Sequence, residues 1–224
     1  METLPCAGLA VVVAGAPCMD LQLHADVMRR ADLRVAADGG ARHFLELGIL
    51  PHVAIGDFDS LPAAMLAQLE TRGVEVERHP AHKDETDLEL ALLHAISHGA
   101  QRIVVLAALG GRPDQHLANL QLLTHPALAA ADVRMRHQDW EVFAVHHSAV
   151  VEGAPGQTVS LLPMTEQVDG IRTDGLYYPL QDEALRLGPA RGVSNVLTGR
   201  RATITIRSGT LLVMHQLEPA AGAG

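Results

Sequence analysis

Residues 53–60 read VAIGDFDS, a short apolar run that changes at Gly56 into a loop carrying Asp57 and Asp59. The apolar part is typical of a buried strand, and the polar part is typical of the turn that follows one. Runs of the same kind recur on both sides of this stretch. The predicted strands are residues 9–14, 33–37, 53–55, 74–78, 103–109 and 133–137.

The segments between these strands carry helix signals. Ser60 with Pro62 predicts a helix start, Gly48 predicts a helix end, and Thr86 with Glu89 forms a capping-box pattern. Repeated strand–helix units of this length are typical of an α/β domain. We therefore expect a mostly parallel N-terminal sheet with helices on both faces, a Rossmann-like arrangement.

The pattern changes after residue 138, where no long helical period is visible. Short β-type runs separated by turn residues predict an antiparallel β-sandwich, with a hairpin turn at Ser208-Gly209. We accordingly divide the chain into residues 1–137 and residues 138–224. The predicted C-terminal strands are residues 140–145, 149–151, 158–162, 176–178, 202–206 and 211–215.

Composition restricts the class of protein. The 224 residues carry a formal charge of −9, which argues against a nucleic-acid-binding protein and mildly favours a neutral or cationic small substrate. Two cysteines without CxxC spacing make no disulfide framework, so a reducing cytoplasm is expected. The apolar residues 9–16 lack a preceding basic segment and are interpreted as a buried strand, not a signal peptide. No run approaches the ~20 apolar residues of a membrane span.

Aspartates follow four successive predicted strands. Because the carboxyl ends of parallel strands share one edge of a sheet, these side chains are expected to converge on one crevice. One aspartate alone would be interpreted as a turn residue, and Asp59 and Asp87 could each serve partly at a helix start. The convergent set is Asp38, Asp57, Asp59, Asp84, Asp87 and Asp114.

Several carboxylates in one crevice repel each other unless a cation neutralises them. Hard oxygen ligands select Mg²⁺, which usually completes its coordination with water and a substrate phosphate. Arg112 and Lys83 could bind phosphate oxygens, and the Gly39-Gly40 and Gly110-Gly111 pairs let backbone N–H groups approach an anion. The sequence therefore predicts a metal–phosphate site.

Other sites are weaker. The chain has no GxxxxGK[ST] nucleotide loop, and Gly15 does not extend to GxGxxG. His94 and His98 have the i, i+4 spacing of a zinc site but lack the HExxH glutamate. Asp57-Phe58-Asp59 is similar to the DxD motif of aspartyl-phosphate phosphohydrolases, although that motif normally follows the first strand and here follows the third.

Four motifs resemble the thiamine pyrophosphokinase family in order and spacing. They are DGGA at 38–41, GDFDS at 56–60, KDETDLELAL at 83–92 and GGRPDQHLAN at 110–119. The C-terminal half is similar to the family pattern at Thr173, GLYYPL 175–180, Gly192, Ser194-Asn195 and residues 209–213. One departure is that the family often has His after the aspartate of GGRxD, where this chain has Gln115 followed by His116.

The resemblance implies transfer of a pyrophosphoryl group from ATP to the thiamine hydroxyl, giving thiamine diphosphate and AMP. It implies a catalytic, ATP- and Mg²⁺-binding N-terminal domain and a C-terminal domain for thiamine binding and dimerisation. The vitamin would lie between the α/β domain of one subunit of a homodimer and the β domain of the other. Asp57, Asp59 and Asp87 would be Mg²⁺ ligands and, with Asp84, the catalytic residues. The ATP-binding residues would be Asp38, Gly39, Lys83, Arg112, Asp114 and Gln115, and the thiamine-binding residues Ser194 and Asn195.

Three alternatives remain beside this interpretation. A related diphosphokinase could act on another alcohol such as a pterin, although the GLYYPL and Ser194-Asn195 region argues against it. An aspartate-dependent phosphohydrolase could use Asp57 as its nucleophile. A non-catalytic nucleotide or thiamine sensor would not need the full set of carboxylates.

Overall fold

The computed structural model describes residues 8–18 and 21–217. The chain forms two compact units, Met1–Gln138 and Asp139–Gly224. Among the described residues, no helix combines the length and hydrophobicity needed to cross a bilayer.

The first unit is built on a parallel six-stranded sheet. Its strand order is β6-β5-β1-β2-β3-β4, and every neighbouring pair is parallel. The strands are mostly apolar on both sides because helices cover both faces. Their bounds are β1 Leu9–Val13, β2 Leu33–Ala37, β3 Val53–Gly56, β4 Glu75–Arg78, β5 Arg102–Leu106 and β6 Asp132–His137.

In the described residues of this unit, five α-helices connect the strands. On one face Val11 and Val13 join a core that contains Met28, Phe44 and Leu69 from three different helices. On the other face α4 packs against β1, β2 and β3. The helices are α1 Ala25–Arg30, α2 Gly40–Glu46, α3 Ala63–Thr71, α4 Asp87–Ser97 and α5 Pro113–Leu122, with 3₁₀ turns at Leu21–His24 and Pro126–Leu128.

Two of the helix-boundary predictions are confirmed, and the third is confirmed for Pro62, which directly precedes α3, but not for Ser60. Gly48 follows α2 with a φ of 65°, and the Thr86 hydroxyl accepts a hydrogen bond from the Glu89 N–H at the start of α4. Ser60 caps no helix, since α3 begins only at Ala63 and has no side-chain cap. The Ser60 hydroxyl instead donates to Asp38.

The strand order places a crevice at the carboxyl edge of the sheet. After β1 the chain moves to β2 on one side, and it later returns to β5 on the other side of β1. The loops that follow β1 and β5 therefore diverge, and ligands of open α/β sheets bind at such a point. The predicted Rossmann-like arrangement is confirmed.

The second unit is an antiparallel β-sandwich, as predicted. Its sheets have the orders β12-β9-β14-β7 and β11-β10-β13-β8. Val145 and Leu161 of the first sheet share a core with Ile171 and Ile204 of the second. The strands are β7 Trp140–Val145, β8 Ser148–Glu152, β9 Thr158–Pro163, β10 Gln167–Asp174, β11 Gln181–Arg186, β12 Asn195–Val196, β13 Arg201–Thr205 and β14 Leu211–Gln216.

The predicted strand at residues 176–178 is wrong. Among the described residues, the β-pairing of this segment is an isolated bridge between Leu176 and Leu197. Gly175, with a φ of 80°, precedes it and breaks the extended conformation. The sequence prediction missed β10 and β11, which flank it, because their apolar residues are interrupted by charged ones facing solvent.

Candidate active site

A cleft of about 610 Å³ lies at the carboxyl edge of the parallel sheet. It is formed by the loops that follow β1, β2, β3 and β5 and by the start of α4. Polar and small side chains dominate its lining. Among the lining residues are Gly15, Ala16, Pro17, Asp38, Gly39, Arg42, Asp57, Asp59, Ser60, Lys83, Thr86, Asp87, Gly110, Gly111, Arg112, Gln115 and Asn119.

Three carboxylates form a cluster in this cleft. Asp38, Asp57 and Asp59 each offer an oxygen within 4.8 Å of the others. The backbone brings them together through left-handed conformations, with a φ of 43° at Asp38 and 59° at Phe58. The Asp59 N–H donates to Asp57 Oδ1 at 3.1 Å, and the Ser60 hydroxyl donates to Asp38 Oδ2 at 2.6 Å. Their oxygens are therefore close enough to bind one cation.

The electrostatics of the cluster favour a bound cation. The Asp57 carboxylate, followed by partial desolvation and the Asp38 carboxylate, raises the pKa of Asp59 above its ordinary value of 3.8. Asp38 Oδ1 is buried and has no hydrogen-bond partner among the described residues. A positive ion would relieve the repulsion and satisfy this oxygen, so the site suits a hard divalent metal.

Asp87 lies in the same cleft but is paired differently. Lys83 Nζ donates to Asp87 Oδ1 at 2.8 Å and to the Pro80 carbonyl at 3.2 Å. Both side chains of this pair are largely buried. The structure thus groups Asp38 with Asp57 and Asp59, whereas the sequence analysis expected Asp87 in that set.

The start of α5 carries a second polar pair. Arg112 binds Asp114 through Nε at 3.1 Å and Nη2 at 2.6 Å. This hydrogen bonding, with the Gln115 N–H on Asp114 Oδ1, lowers the pKa of Asp114 to about 2. Arg112 and Gln115 line the cleft, and the Asp114 carboxylate holds the guanidinium of Arg112 at its rim.

The glycine pairs differ in what they do. A Cβ on Gly40 would lie 1.9 Å from the Val13 carbonyl oxygen, so this glycine lets α2 begin directly against the end of β1. Gly110 has a φ of 101°, and its N–H donates to His116 Nδ1 at 3.1 Å. The Gly110 N–H is therefore engaged inside the chain, whereas the sequence analysis expected it to approach an anion.

The structure also separates some of the predicted residues from the cleft. Within the described part of the chain, Asp84 and Asp114 are not among the lining residues. Sequence reasoning missed Arg42, Asn119 and the Gly15–Pro17 turn as parts of the lining. Gly15 after the first strand was the available signal, because a small residue there allows close approach at the switch point.

Ser194 and Asn195 lie in the second unit, at the start of β12. Asn195 is buried, its Oδ1 accepts from the N–H groups of Tyr178 and Val196, and its Nδ2 donates to the Tyr178 carbonyl. Ser194 is exposed, has a φ of 61°, and donates its N–H to Ser160 Oγ at 3.0 Å. The Asn195 carboxamide thus fixes the backbone around Tyr178.

Two family models match the chain, one in each unit. The model described as thiamin pyrophosphokinase, catalytic domain, matches residues 24–135. The model described as thiamin pyrophosphokinase, vitamin B1 binding domain, matches residues 146–211. A thiamine pyrophosphokinase from Bacillus subtilis (strain 168) is 28% identical over 212 residues, covering 92% of this chain and 98% of that relative.

Solved structures are similar over almost the whole chain. The crystal structure of thiamine pyrophosphokinase from Bacillus subtilis superposes with a TM-score of 0.82 at 27% identity, covering 94% of this chain and 99% of that one. The crystal structure of thiamin pyrophosphokinase from Geobacillus thermodenitrificans superposes with a TM-score of 0.79 at 27% identity, covering 95% and 99%. The match of both family models, in order and across both units, shows that this chain belongs to the thiamin pyrophosphokinase family.

Proposed function

We infer that this chain transfers the pyrophosphoryl group of ATP to the hydroxyl of thiamine, giving thiamine diphosphate and AMP. The observation that carries this conclusion is the acidic cleft of the first unit in a chain that matches both the catalytic and the vitamin-binding family models. A phosphohydrolase is not favoured, because such an enzyme would have no use for a vitamin-binding unit.

Mg²⁺ is the metal we propose for the cleft. Asp57 and Asp59 would hold it, with Asp87 as a further ligand once Lys83 turns to the substrate. Asp38 is the nearest additional carboxylate, and its unpartnered buried oxygen supports a cation at this point. When bound, Mg²⁺ would neutralise negative charge on the phosphate chain and on the departing AMP. Asp84 would support the loop that carries Lys83 and Asp87.

The nucleotide would lie against the loops that follow β2 and β5. Arg112 is placed to bind phosphate oxygens with its planar guanidinium, and Asp114 would keep that group oriented. Lys83 adds a second positive charge, and Gly39 allows the backbone to approach the ligand closely. Asp38 and Gln115 would complete the polar contacts to ATP.

These residues would position ATP for attack at its β-phosphorus. The hydroxyl oxygen of thiamine forms a bond to this phosphorus, and its proton passes to water or to a carboxylate of the cleft. The bond between the β-phosphorus and the oxygen bridging it to the α-phosphorus breaks, and AMP leaves with that oxygen. In-line geometry is the main requirement of such a transfer. Charged residues on several loops around one cleft can hold the phosphate chain in that geometry.

The second unit is proposed to bind the vitamin and to form the dimer. The Ser194-Asn195 turn and the Tyr177-Tyr178 segment that Asn195 holds would contribute to thiamine binding. Tyr177 and Tyr178 are each 65% exposed, which supports a surface that a ligand or a second copy covers. We propose a homodimer that acts in the cytoplasm, where ATP and reduced thiols are available. Analytical ultracentrifugation showing an active monomer would contradict the dimer.

The products distinguish the proposed reaction from its alternatives. Protein, ATP, Mg²⁺ and thiamine are incubated briefly, and nucleotides and thiamine phosphates are separated by chromatography. We expect AMP and thiamine diphosphate in equal amounts. ADP with thiamine monophosphate would show an ordinary kinase, and ADP with free phosphate would show a hydrolase. The Asp57→Asn variant, prepared in the same way, controls for contaminating enzymes.

A further inference from the structure

The loop between β5 and α5, residues 107–112, has an unusual backbone. Ala107, Gly110 and Gly111 all have positive φ values, of 52°, 101° and 72°. A non-glycine residue in this region carries a conformational cost and persists only when its surroundings hold it. Ala107, Gly110 and Gly111 line the cleft. Something outside the loop must therefore hold it in this shape.

Two side chains of α5 hold the loop through hydrogen bonds to its backbone. Asn119 Nδ2 donates to the Ala108 carbonyl at 2.6 Å, and Asn119 is only 6% exposed. His116 Nδ1 accepts from the Gly110 N–H at 3.1 Å. The two residues are three positions apart, so they lie on one face of the helix. Together they form hydrogen bonds with one carbonyl and one N–H group of the same short loop.

The hydrogen bond to Gly110 also fixes the role of the His116 ring. Because a backbone N–H can only donate, Nδ1 must carry a lone pair, and the proton of the neutral ring lies on Nε2. Gln115 lines the cleft, whereas His116 is not among its lining residues in the described part of the chain. The histidine of this motif therefore binds the loop backbone, and the cleft position before it is taken by an amide that cannot transfer a proton.

We propose that His116 and Asn119 are positioning residues that set the loop 107–112 to receive the phosphate chain of the nucleotide donor. The inference rests on the proposed function for the identity of that nucleotide. It assigns His116 to the loop conformation. Arg112 lies at the end of the loop, so its backbone position depends on this support, while Asp114 orients its guanidinium.

The test compares two substitutions at His116, which is half-buried and so less critical for folding than Asn119. His116→Asn places an amide oxygen near the position of Nδ1 and keeps the acceptor, while His116→Leu removes it. Affinity for α,β-methylene-ATP, which cannot react at the bond in question, is measured by calorimetry. We expect about a tenfold loss for His116→Leu and less than about a threefold loss for His116→Asn, since one backbone hydrogen bond is lost and then restored.

Steady-state kinetics complete the test. The KM for ATP should rise in His116→Leu while the KM for thiamine stays within about twofold of the wild-type value. Equal analogue affinity in His116→Leu and wild type, or equal losses in both variants, would overturn the proposal. So would an increase in both KM values, which indicates general damage. If the wild-type protein binds the analogue but makes no thiamine diphosphate, the proposed function is wrong. The calorimetric comparison of the two His116 variants would then still test the role of His116 in nucleotide binding.

Discussion

The Asn195 carboxamide offers a prediction whose magnitude follows from the structure. It makes three hydrogen bonds to backbone groups, at 3.0 Å from the Tyr178 N–H, 2.9 Å from the Val196 N–H and 2.7 Å to the Tyr178 carbonyl. Each hydrogen bond contributes about 1 kcal/mol net to the free energy of unfolding, because its donor and acceptor give up hydrogen bonds to water when the protein folds. Asn195→Ala should therefore lower the free energy of unfolding of the second unit by about 3 kcal/mol.

The assay is urea denaturation followed by circular dichroism. With a urea m-value of about 2 kcal/mol/M, the loss corresponds to a midpoint about 1.5 M lower. Thr198→Ala is the control, because Thr198 is a nearby exposed residue, and its effect should stay within about 0.5 kcal/mol. A loss below about 1 kcal/mol for Asn195→Ala would refute the reasoning that these three bonds hold the segment.

The same variant separates two ways in which Asn195 could serve thiamine. If its role is to place the Tyr177-Tyr178 segment, stability and thiamine affinity should fall together, and the KM for ATP should change little. A raised thiamine KM without any loss of stability would mean that the carboxamide contacts the vitamin itself. The three intramolecular bonds favour the first outcome.

Three further predictions concern the first unit. Asp59→Asn should lower kcat by at least about a hundredfold, measured at saturating Mg²⁺, because a charged metal ligand is lost; near-native turnover would contradict the metal assignment. Gly40→Ala should lower the free energy of unfolding by at least about 1–3 kcal/mol, because the new Cβ would clash with the Val13 carbonyl oxygen. An unchanged urea midpoint would contradict this. Burial, and then the charge of His98, lowers the pKa of His94. Stability should therefore fall as pH drops below about 6.5, with a slope of at most about 1.4 kcal/mol per pH unit, and a pH series of urea midpoints should show less of this fall in His94→Gln.

Much of the architecture was predictable because it depends on local patterns. Buried parallel strands must be apolar on both faces, so runs such as residues 9–14 stand out from the polar loops. Thr86 caps α4 because its hydroxyl can reach an N–H three residues on, which the spacing alone shows. The crevice was predictable for a similar reason, since strand order places all carboxyl ends on one edge.

The arrangement of the cleft was harder to predict. Whether Asp38 or Asp87 joins the Asp57 cluster depends on backbone φ values and on Lys83, which binds Asp87. The spacing of the aspartates in the sequence predicts neither the backbone φ values nor the pairing of Lys83 with Asp87. The strand at residues 176–178 was predicted wrongly because an aromatic apolar run was weighed more heavily than the glycine before it and the proline after it.

The polar residues of the sequence motifs can be divided by whether their hydrogen-bonding groups are satisfied inside the chain. The side chains of Asn195 and His116 form their hydrogen bonds with backbone groups. A substitution at either residue should therefore act through the loop that the side chain holds. Within the described part of the chain, Asp38 keeps a buried oxygen without a hydrogen-bond partner, and Asp59 lies beside other carboxylates that raise its pKa. Such groups are unfavourable in the free protein, and a bound cation would relieve their repulsion. Ligand contact is therefore to be sought first at the carboxylates, and loop placement at the amides and at His116.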